Sequence, residues 1–180
     1  MSRPAQGPAQ SRVHPTAIVD DGAKLGPRVR LWHFAHVRSG ATVGADTQLG
    51  MSVYVDHDAV IGRRCRVQNF VSIYAGVEIG DDVFIGPSAV FTNDLYPRAH
   101  NKRWHPLPTR VGRGASIGAN ATILCGVVIG SYAMIGAGSV VTTDVQAHAI
   151  VVGSPAHPIG WVCACGVRVP AVPSGRCSHG

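Results

Sequence analysis

The sequence predicts an all-β solenoid, a parallel β-helix, and three regularities predict it. Aliphatic residues recur every six positions from Val13, Val19 and Leu25 through Ile85 and Phe91, then in a new phase from Val111 and Ile117 through Ile135 and Val141. A small or β-branched residue stands four positions after each, from Ala17 and Ala23 to Ala133 and Ser139. Glycines directly after the aliphatic position repeat every eighteen residues, at Gly26, Gly44, Gly62 and Gly80.

A helix repeats its apolar positions every 3.6 residues and a strand every 2. A period of six requires a short strand, a turn, and a new strand on another face, which is the signature of a hexapeptide solenoid. The eighteen-residue glycine spacing makes three hexapeptides one coil, so the chain is a single-stranded triangular prism. With coils about 4.8 Å apart, six or seven of them give a prism about 30 Å tall. The aliphatic series points inward and the small residues fill the narrow corners. Glycine at the corners is expected to supply positive φ.

Element by element, residues 1–12 lack an apolar stretch and read as a disordered lead without a signal peptide. Residues 13–160 form the solenoid. Within it, residues 92–110 lose the period and hold Asn93, Asp94, Tyr96, Arg98, His100, Trp104, His105 and Arg110. A long irregular segment in a tight solenoid is usually functional, so this stretch is the expected excursion loop over a site. Residues 161–180 form a C-terminal tail in which Cys163, Cys165, Cys177 and His179 are arranged as C-x-C…C-x-H. Zinc knuckles normally use C-x₂₋₄-C, and both pairs fall one residue short. The tail is therefore expected to fray and no metal is assigned. Cys65 stands at a small corner position and reads as a buried hydrophobe.

Composition narrows the function. Of 180 residues only 14% are charged, the net charge is +6, and 6% are aromatic. Scattered arginines with few stacking groups argue against nucleic acid; clusters at Arg28/Arg30, Arg63/Arg64/Arg66 and Arg110/Arg113 suit an anionic small ligand such as a nucleotide diphosphate or coenzyme A. No run of about 18 apolar residues marks a membrane span. A cytoplasmic setting is expected.

The tandem [Ile/Val/Leu]-Gly-x-x-[Ala/Val/Ser]-x pattern over residues 13–160 resembles the hexapeptide-repeat acyltransferases. That resemblance implies a left-handed parallel β-helix, usually a homotrimer with active sites in clefts between prisms. The block Val90-Phe-Thr-Asn-Asp-Leu-Tyr-Pro-Arg98 is similar to that of the UDP-2-acetamido-3-amino-2,3-dideoxy-glucuronate and dTDP-3-amino-sugar N-acetyltransferases of lipopolysaccharide synthesis. Arg30-Leu-Trp-His-Phe34 with His36, Val67-Gln-Asn69, Val71-Ser-Ile-Tyr74, Gly114-Ala-Ser-Ile-Gly-Ala-Asn120, Ile123-Leu-Cys-Gly-Val-Val-Ile-Gly130, and Val152-Gly-Ser-Pro-Ala156 with Gly160-Trp161 extend the likeness. The reaction implied is acetyl transfer from acetyl-CoA, as co-substrate, to the C3 amine of a nucleotide-linked amino sugar.

On that resemblance Asn93 and Asp94 are the catalytic candidates, Asn93 for positioning and Asp94 for orienting the amine. His33, His36, Asn69, Tyr74, Tyr96 and Arg98 are candidates for the sugar nucleotide. Arg113, Gly118, Ala119, Gly136, Ala137 and Pro155 are candidates for coenzyme A. Ala75 departs from relatives, where an acidic residue follows Ile-Tyr. A histidine base among His33, His36, His100 and His105 stays open. Other small acceptors, a three-histidine carbonic anhydrase using His100 and His105, and a non-enzymatic scaffold are the rival readings.

Overall fold

The computed structural model describes residues 10–100, 105–173 and 177. Every expected hexapeptide strand is present, most only two residues long, with the aliphatic residue second: Arg12–Val13, Ile18–Val19 and Lys24–Leu25 open three successive faces. Strands eighteen residues apart pair in parallel, as Arg30↔Gln48 and Leu31↔Leu49 do on the first face and His36↔Tyr54 on the second. The described residues contain no helix and so none long or apolar enough to cross a membrane. The fold is the left-handed parallel β-helix expected.

Its core is the stack of inward residues. Leu49, Ile61, Ile73, Ile85, Phe91, Ile117 and Ile123 are among the largest buried side chains, with Ala35, Ala41, Ala59 and Ala115 beside them in the corners. Burying each large aliphatic contributes about 1.5–3 kcal/mol. Cys65 is buried there, as expected. Among the described residues the first coil is the open end, with Val13 43% exposed.

Within the coils, two expectations change. The first face carries eight parallel levels, from Arg12–Val13 to Ala149–Gly153, one more than six or seven coils. The last strand escaped the count because Val145 and Val151 leave the six-residue phase, although Val145 still bridges Ile129. The corner glycines also have a different reason for being glycine. Gly26, Gly44, Gly62 and Gly80 are absent from the positive-φ residues, and the left-handed position falls two residues later, at Arg28, Asp46, Arg64 and Asp82. What these glycines permit is close approach: a Cβ on Gly62 would stand 2.5 Å from the Gly80 carbonyl carbon. Coil spacing, not turn conformation, excludes the side chain.

The chain leaves the prism after Val90–Phe91 on the second face, and Thr109–Val111 re-enters on the third in register with Val77–Ile79. The excursion thus ends sooner than expected, with Thr109 and Arg110 already in a strand. Its base is tied down. Thr92 Oγ1 accepts the Cys125 N–H at 2.9 Å, Thr109 Oγ1 accepts the Gly126 N–H at 3.2 Å, and Leu107 N–H donates to Asn93 O at 3.3 Å.

The C-terminal residues do not simply fray. Ala149–Gly153, Ala156–Val162 and Arg168–Val169 form an antiparallel meander on the first face, and Trp161 packs against the core as a cap. Residues 1–9, Trp104 and His179 lie outside the described residues.

Gly62→Ala would force a methyl against the neighbouring coil. We expect a loss of about 1–3 kcal/mol, the range for overpacking a tight interior, read as a lower midpoint in urea denaturation.

Candidate active site

The second face ends in a column of residues eighteen apart: Asp20, Arg38, Asp56, Tyr74 and Thr92. In-register stacking makes neighbours of these side chains without any sequence proximity. The column builds a polar network at the corner from which the excursion departs.

Asp56 is its centre and is only 8% exposed. Its Oδ1 accepts from Arg38 Nη1 at 3.2 Å, Tyr54 Oη at 3.0 Å and the His57 amide at 2.8 Å, and its Oδ2 accepts from the Ala75 amide at 3.4 Å. The His57 ring stands 3.0 Å from Oδ1 through Nδ1. Burial alone would raise the Asp56 pKa. The hydrogen bonds from His57, Tyr54 and Ala75 outweigh it and hold the carboxyl below its usual range. Desolvation, in contrast, dominates at Tyr54 and raises its phenol.

A second histidine–carboxylate pair lies alongside. His36 Nε2 is 2.9 Å from Asp20 Oδ1, and its hydrogen bond is the leading cause of the lowered Asp20 pKa. Arg38 joins the two pairs, 3.7 Å from Asp20 and 3.2 Å from Asp56. His36 meets the edge of Tyr54 at 5.7 Å, and Tyr54 meets Tyr74 at 6.0 Å. The expected residues His36 and Tyr74 are therefore brought together, through a tyrosine that sequence reasoning left out.

Asn93 and Asp94 begin the excursion just beyond this column. Asn93 stands three positions after Val90, as Ala75 does after Ser72 and His57 after Tyr54, the three residues that pair across the coils. One Asp94 oxygen caps the Tyr96 amide at 2.9 Å, shaping the loop while leaving further acceptor capacity on the carboxylate. Tyr96 is 76% exposed, and Arg98 donates to Pro97 O at 2.7 Å. His100 and His105 are both exposed.

His33 and Asn69 come together elsewhere, at the corner after the first face. They line a cavity of about 370 Å³ with Trp32, Gln48, Met51 and Arg66. Asn69 is partly committed to the fold, since its Oδ1 accepts the Met51 amide at 2.9 Å, and His33 stacks on His14 at 3.6 Å.

The coenzyme A candidates occupy corners of the upper coils. A Cβ on Gly118 would lie 2.4 Å from the Ala137 nitrogen and one on Gly136 would lie 2.7 Å from Val152. Both glycines, with Ala119 and Ala137 beside them, are accounted for by coil packing. Arg113 pairs with Asp82 at 3.0 Å, Arg110 with Glu78 at 3.3 Å, and Arg28 and Arg64 with Asp46 and Asp82. Four of the seven clustered arginines thus compensate acids of an adjacent coil. Pro155 lies exposed in the turn between the last long strands.

Sequence reasoning missed Asp56 and His57. The signal was an Asp-His pair one coil below Tyr74-Ala75, visible only once the eighteen-residue register is applied to polar positions as well as apolar ones.

A triangular hexapeptide prism with one excursion above a polar corner defines a class, the hexapeptide-repeat transferase. The chain belongs to the bacterial transferase hexapeptide family, whose six-repeat pattern matches residues 40–74, 58–93 and 108–143, together half of its length. Among curated proteins it is 53% identical over 57 residues to the dTDP-3-amino-3,6-dideoxy-alpha-D-galactopyranose 3-N-acetyltransferase of Aneurinibacillus thermoaerophilus, covering 32% of this chain and 30% of that one. It is 47% identical over 58 residues to serine acetyltransferase 4 of Arabidopsis thaliana, covering 32% and 16%. The matches span less than a third of these relatives. Among solved structures, WeeI from Acinetobacter baumannii AYE aligns over 83% of this chain and 58% of its own at TM-score 0.57 and 24% identity. The UDP-N-acetylglucosamine acyltransferase of Campylobacter jejuni aligns over 83% and 75% at TM-score 0.50 and 16% identity. These last two likenesses concern the fold.

Because the folded Asp56 pKa is depressed, its stabilisation is present above the unfolded carboxylate value, about 3.9, and is lost as pH falls through the folded value. Asp56→Asn should cost about 1–3 kcal/mol at neutral pH, the scale of hydrogen bonds to a charged group. Denaturation series against pH should show that gap closing below about pH 4.

Proposed function

We propose that this chain is an acetyl-CoA-dependent N-acetyltransferase acting on the C3 amine of a nucleotide-linked amino sugar. The observation that carries the reading is the placement of the break in the repeat that follows Phe91. Asn93 enters the excursion in line with Ala75 and with His57, above the Asp56 network. The 3-N-acetyltransferase named among the relatives supports the choice of acceptor.

The amine lone pair attacks the thioester carbonyl carbon, the N–C bond forms, the C–S bond breaks, and coenzyme A leaves as the thiol. The ammonium must first lose a proton. An amine flanked by sugar oxygens titrates near 8, so this costs only about 1 kcal/mol at neutral pH. A weak base is sufficient, and His57 has the arrangement of one: Asp56 anchors Nδ1 and the ring is otherwise exposed. With Nδ1–H donated to Asp56, Nε2 accepts the amine proton. Asn93 supplies a donor to the developing oxyanion and Asp94 orients the amine. Alignment contributes more than basicity, since effective molarity can lower a barrier by about 7–11 kcal/mol.

Within this reading His33, Asn69 and Arg66 of the first-face cavity bind the nucleotide, Tyr74, His36, Tyr96 and Arg98 meet the sugar, and the upper corners with Arg113 take coenzyme A. The enzyme works as a homotrimer whose clefts close each site, in the cytoplasm, serving lipopolysaccharide or related surface-glycan synthesis. The likeness to a serine acetyltransferase favours a small amino-acid acceptor as the second reading.

Thiol release from acetyl-CoA, measured against UDP- and dTDP-linked 3-amino and 4-amino sugars and against serine, tests both. Saturable turnover is expected with one 3-amino sugar. Asn93→Ala should lower kcat/KM about 10²–10³-fold, the scale of one lost oxyanion donor. His57→Ala should lower it about 10²–10⁴-fold. Turnover with serine alone would replace the first reading by the second.

A further inference from the structure

We propose that Cys163, Cys165 and Cys177 form a zinc site that clamps the C-terminal cap onto the prism. Their three sulfur atoms lie within 4.8 Å of one another. Thiolates bound tetrahedrally to one zinc at about 2.3 Å stand about 3.8 Å apart, so the ion needs only a small contraction of the cluster. Among the described residues this is the one group of three histidine, cysteine or acidic side chains gathered at such distances.

The turn that carries the first two cysteines is built to present them. It is the hairpin connection between Ala156–Val162 and Arg168–Val169. Cys163 N–H donates to Val167 O at 2.8 Å and Gly166 N–H donates to Cys163 O at 2.8 Å. Gly166 takes φ +90, a left-handed conformation that favours glycine. This closure tightens the loop enough for thiols separated by a single residue to share one side, which makes up for the missing residue in C-x-C. The knuckle length that argues against metal in the linear sequence is thus offset by the hairpin.

The turn is also held rigidly against the last coil. Val162 N–H donates to His148 O at 2.8 Å, and the His148 ring lies 2.9 Å from Val162 O through Nδ1. That ring stacks on Tyr132 at 5.2 Å. Cys163 is buried against this base, Cys165 is exposed, and Cys177 is intermediate between them, leaving the cluster an open side through which an ion enters. Soft thiolates select zinc over the hard divalent cations. A disulfide would use two of the three sulfurs and leave the third without a function.

A role follows from position. Among the described residues only this meander follows the last coil, and the chain beyond Arg168–Val169 contributes no further strand. A metal bridging Cys177 to the hairpin turn fastens that stretch where strand pairing has ended. The fourth coordination position is left to water or to another donor.

Full-length protein prepared under reducing conditions without chelator should hold one equivalent of zinc per chain by elemental analysis. Cys165→Ser and Cys177→Ser should each reduce it at least tenfold, while Cys65→Ala, a buried core position, should retain it. Cobalt-exchanged protein should show thiolate-to-cobalt charge-transfer absorption that Cys165→Ser abolishes. The proposal is overturned if the reduced protein carries no stoichiometric metal and takes up no cobalt. It is equally overturned if intact mass and peptide mapping show Cys165 joined to Cys163 or Cys177 by a disulfide. Neither readout depends on the acceptor or on acetyl transfer.

Discussion

The spacing between coils governs this molecule. Parallel pairing holds successive turns about 4.8 Å apart, and each residue lies over the one eighteen positions before it. Inside, that stacks Leu31 on Leu49 and Arg66's neighbour Val67 on Ile85. At the corners it brings backbones so close that Gly44, Gly62 and Gly118 have no room for a Cβ. Outside, it lines up polar side chains with no choice of partner other than the next coil's. A residue placed on such a surface is therefore either compensated vertically or left to solvent. Arg28 over Asp46 and Arg64 over Asp82 are the compensated case. These pairs are solvent-exposed, so each contributes little to stability. What they accomplish is neutralising a column that would otherwise repel itself.

The Asp56 network follows the same rule with a different result. Its donors come from both neighbouring coils and from its own, so the carboxylate stays ionised although largely shielded from water. A buried charge held by several hydrogen bonds is a preorganised dipole, and it sits where the repeat gives way to the excursion. The arrangement anchors His57 in one ring orientation and leaves the ring's other side exposed. Ala75, where the family resemblance predicts an acid, is compatible with this geometry. The carboxylate is supplied one coil lower, and its Oδ2 reaches the Ala75 amide.

How far the sequence could be read depended on what repeats. The strands, the three faces and the excursion were all legible from Val13 to Val141, because each inward residue obeys one short period. The final coil was not, since Val145 and Val151 leave that phase while keeping the pairing. Corner glycines were located correctly but explained by turn conformation, when close approach is the cause. Among site residues, the resemblance pointed to His36, Tyr74 and Asn93. It passed over Asp56 and His57, because two of the donors that complete the Asp56 network, Arg38 and Ala75, lie eighteen and nineteen residues away and carry no local motif. The cysteines were visible as C-x-C and Cys177, yet a linear spacing rule has no way to represent a hairpin that brings such thiols onto one side.

These failures share a physical origin and suggest where function concentrates on a solenoid. Periodic positions are bound to the stacking rule, so a change there disturbs two coils at once. Irregular segments escape it. The excursion at 92–108 and the meander beyond Ala149 are the two places where the chain leaves the hexapeptide phase, and both gather chemically versatile side chains. Each is nonetheless tied to a neighbouring regular coil, the excursion through Thr92 and Thr109 to the coil that follows it and the meander through His148 to the last coil. The regular prism thus acts as a fixed frame, and its two departures supply what repetition forbids: side chains aimed at a common point rather than at the copy of themselves one coil away.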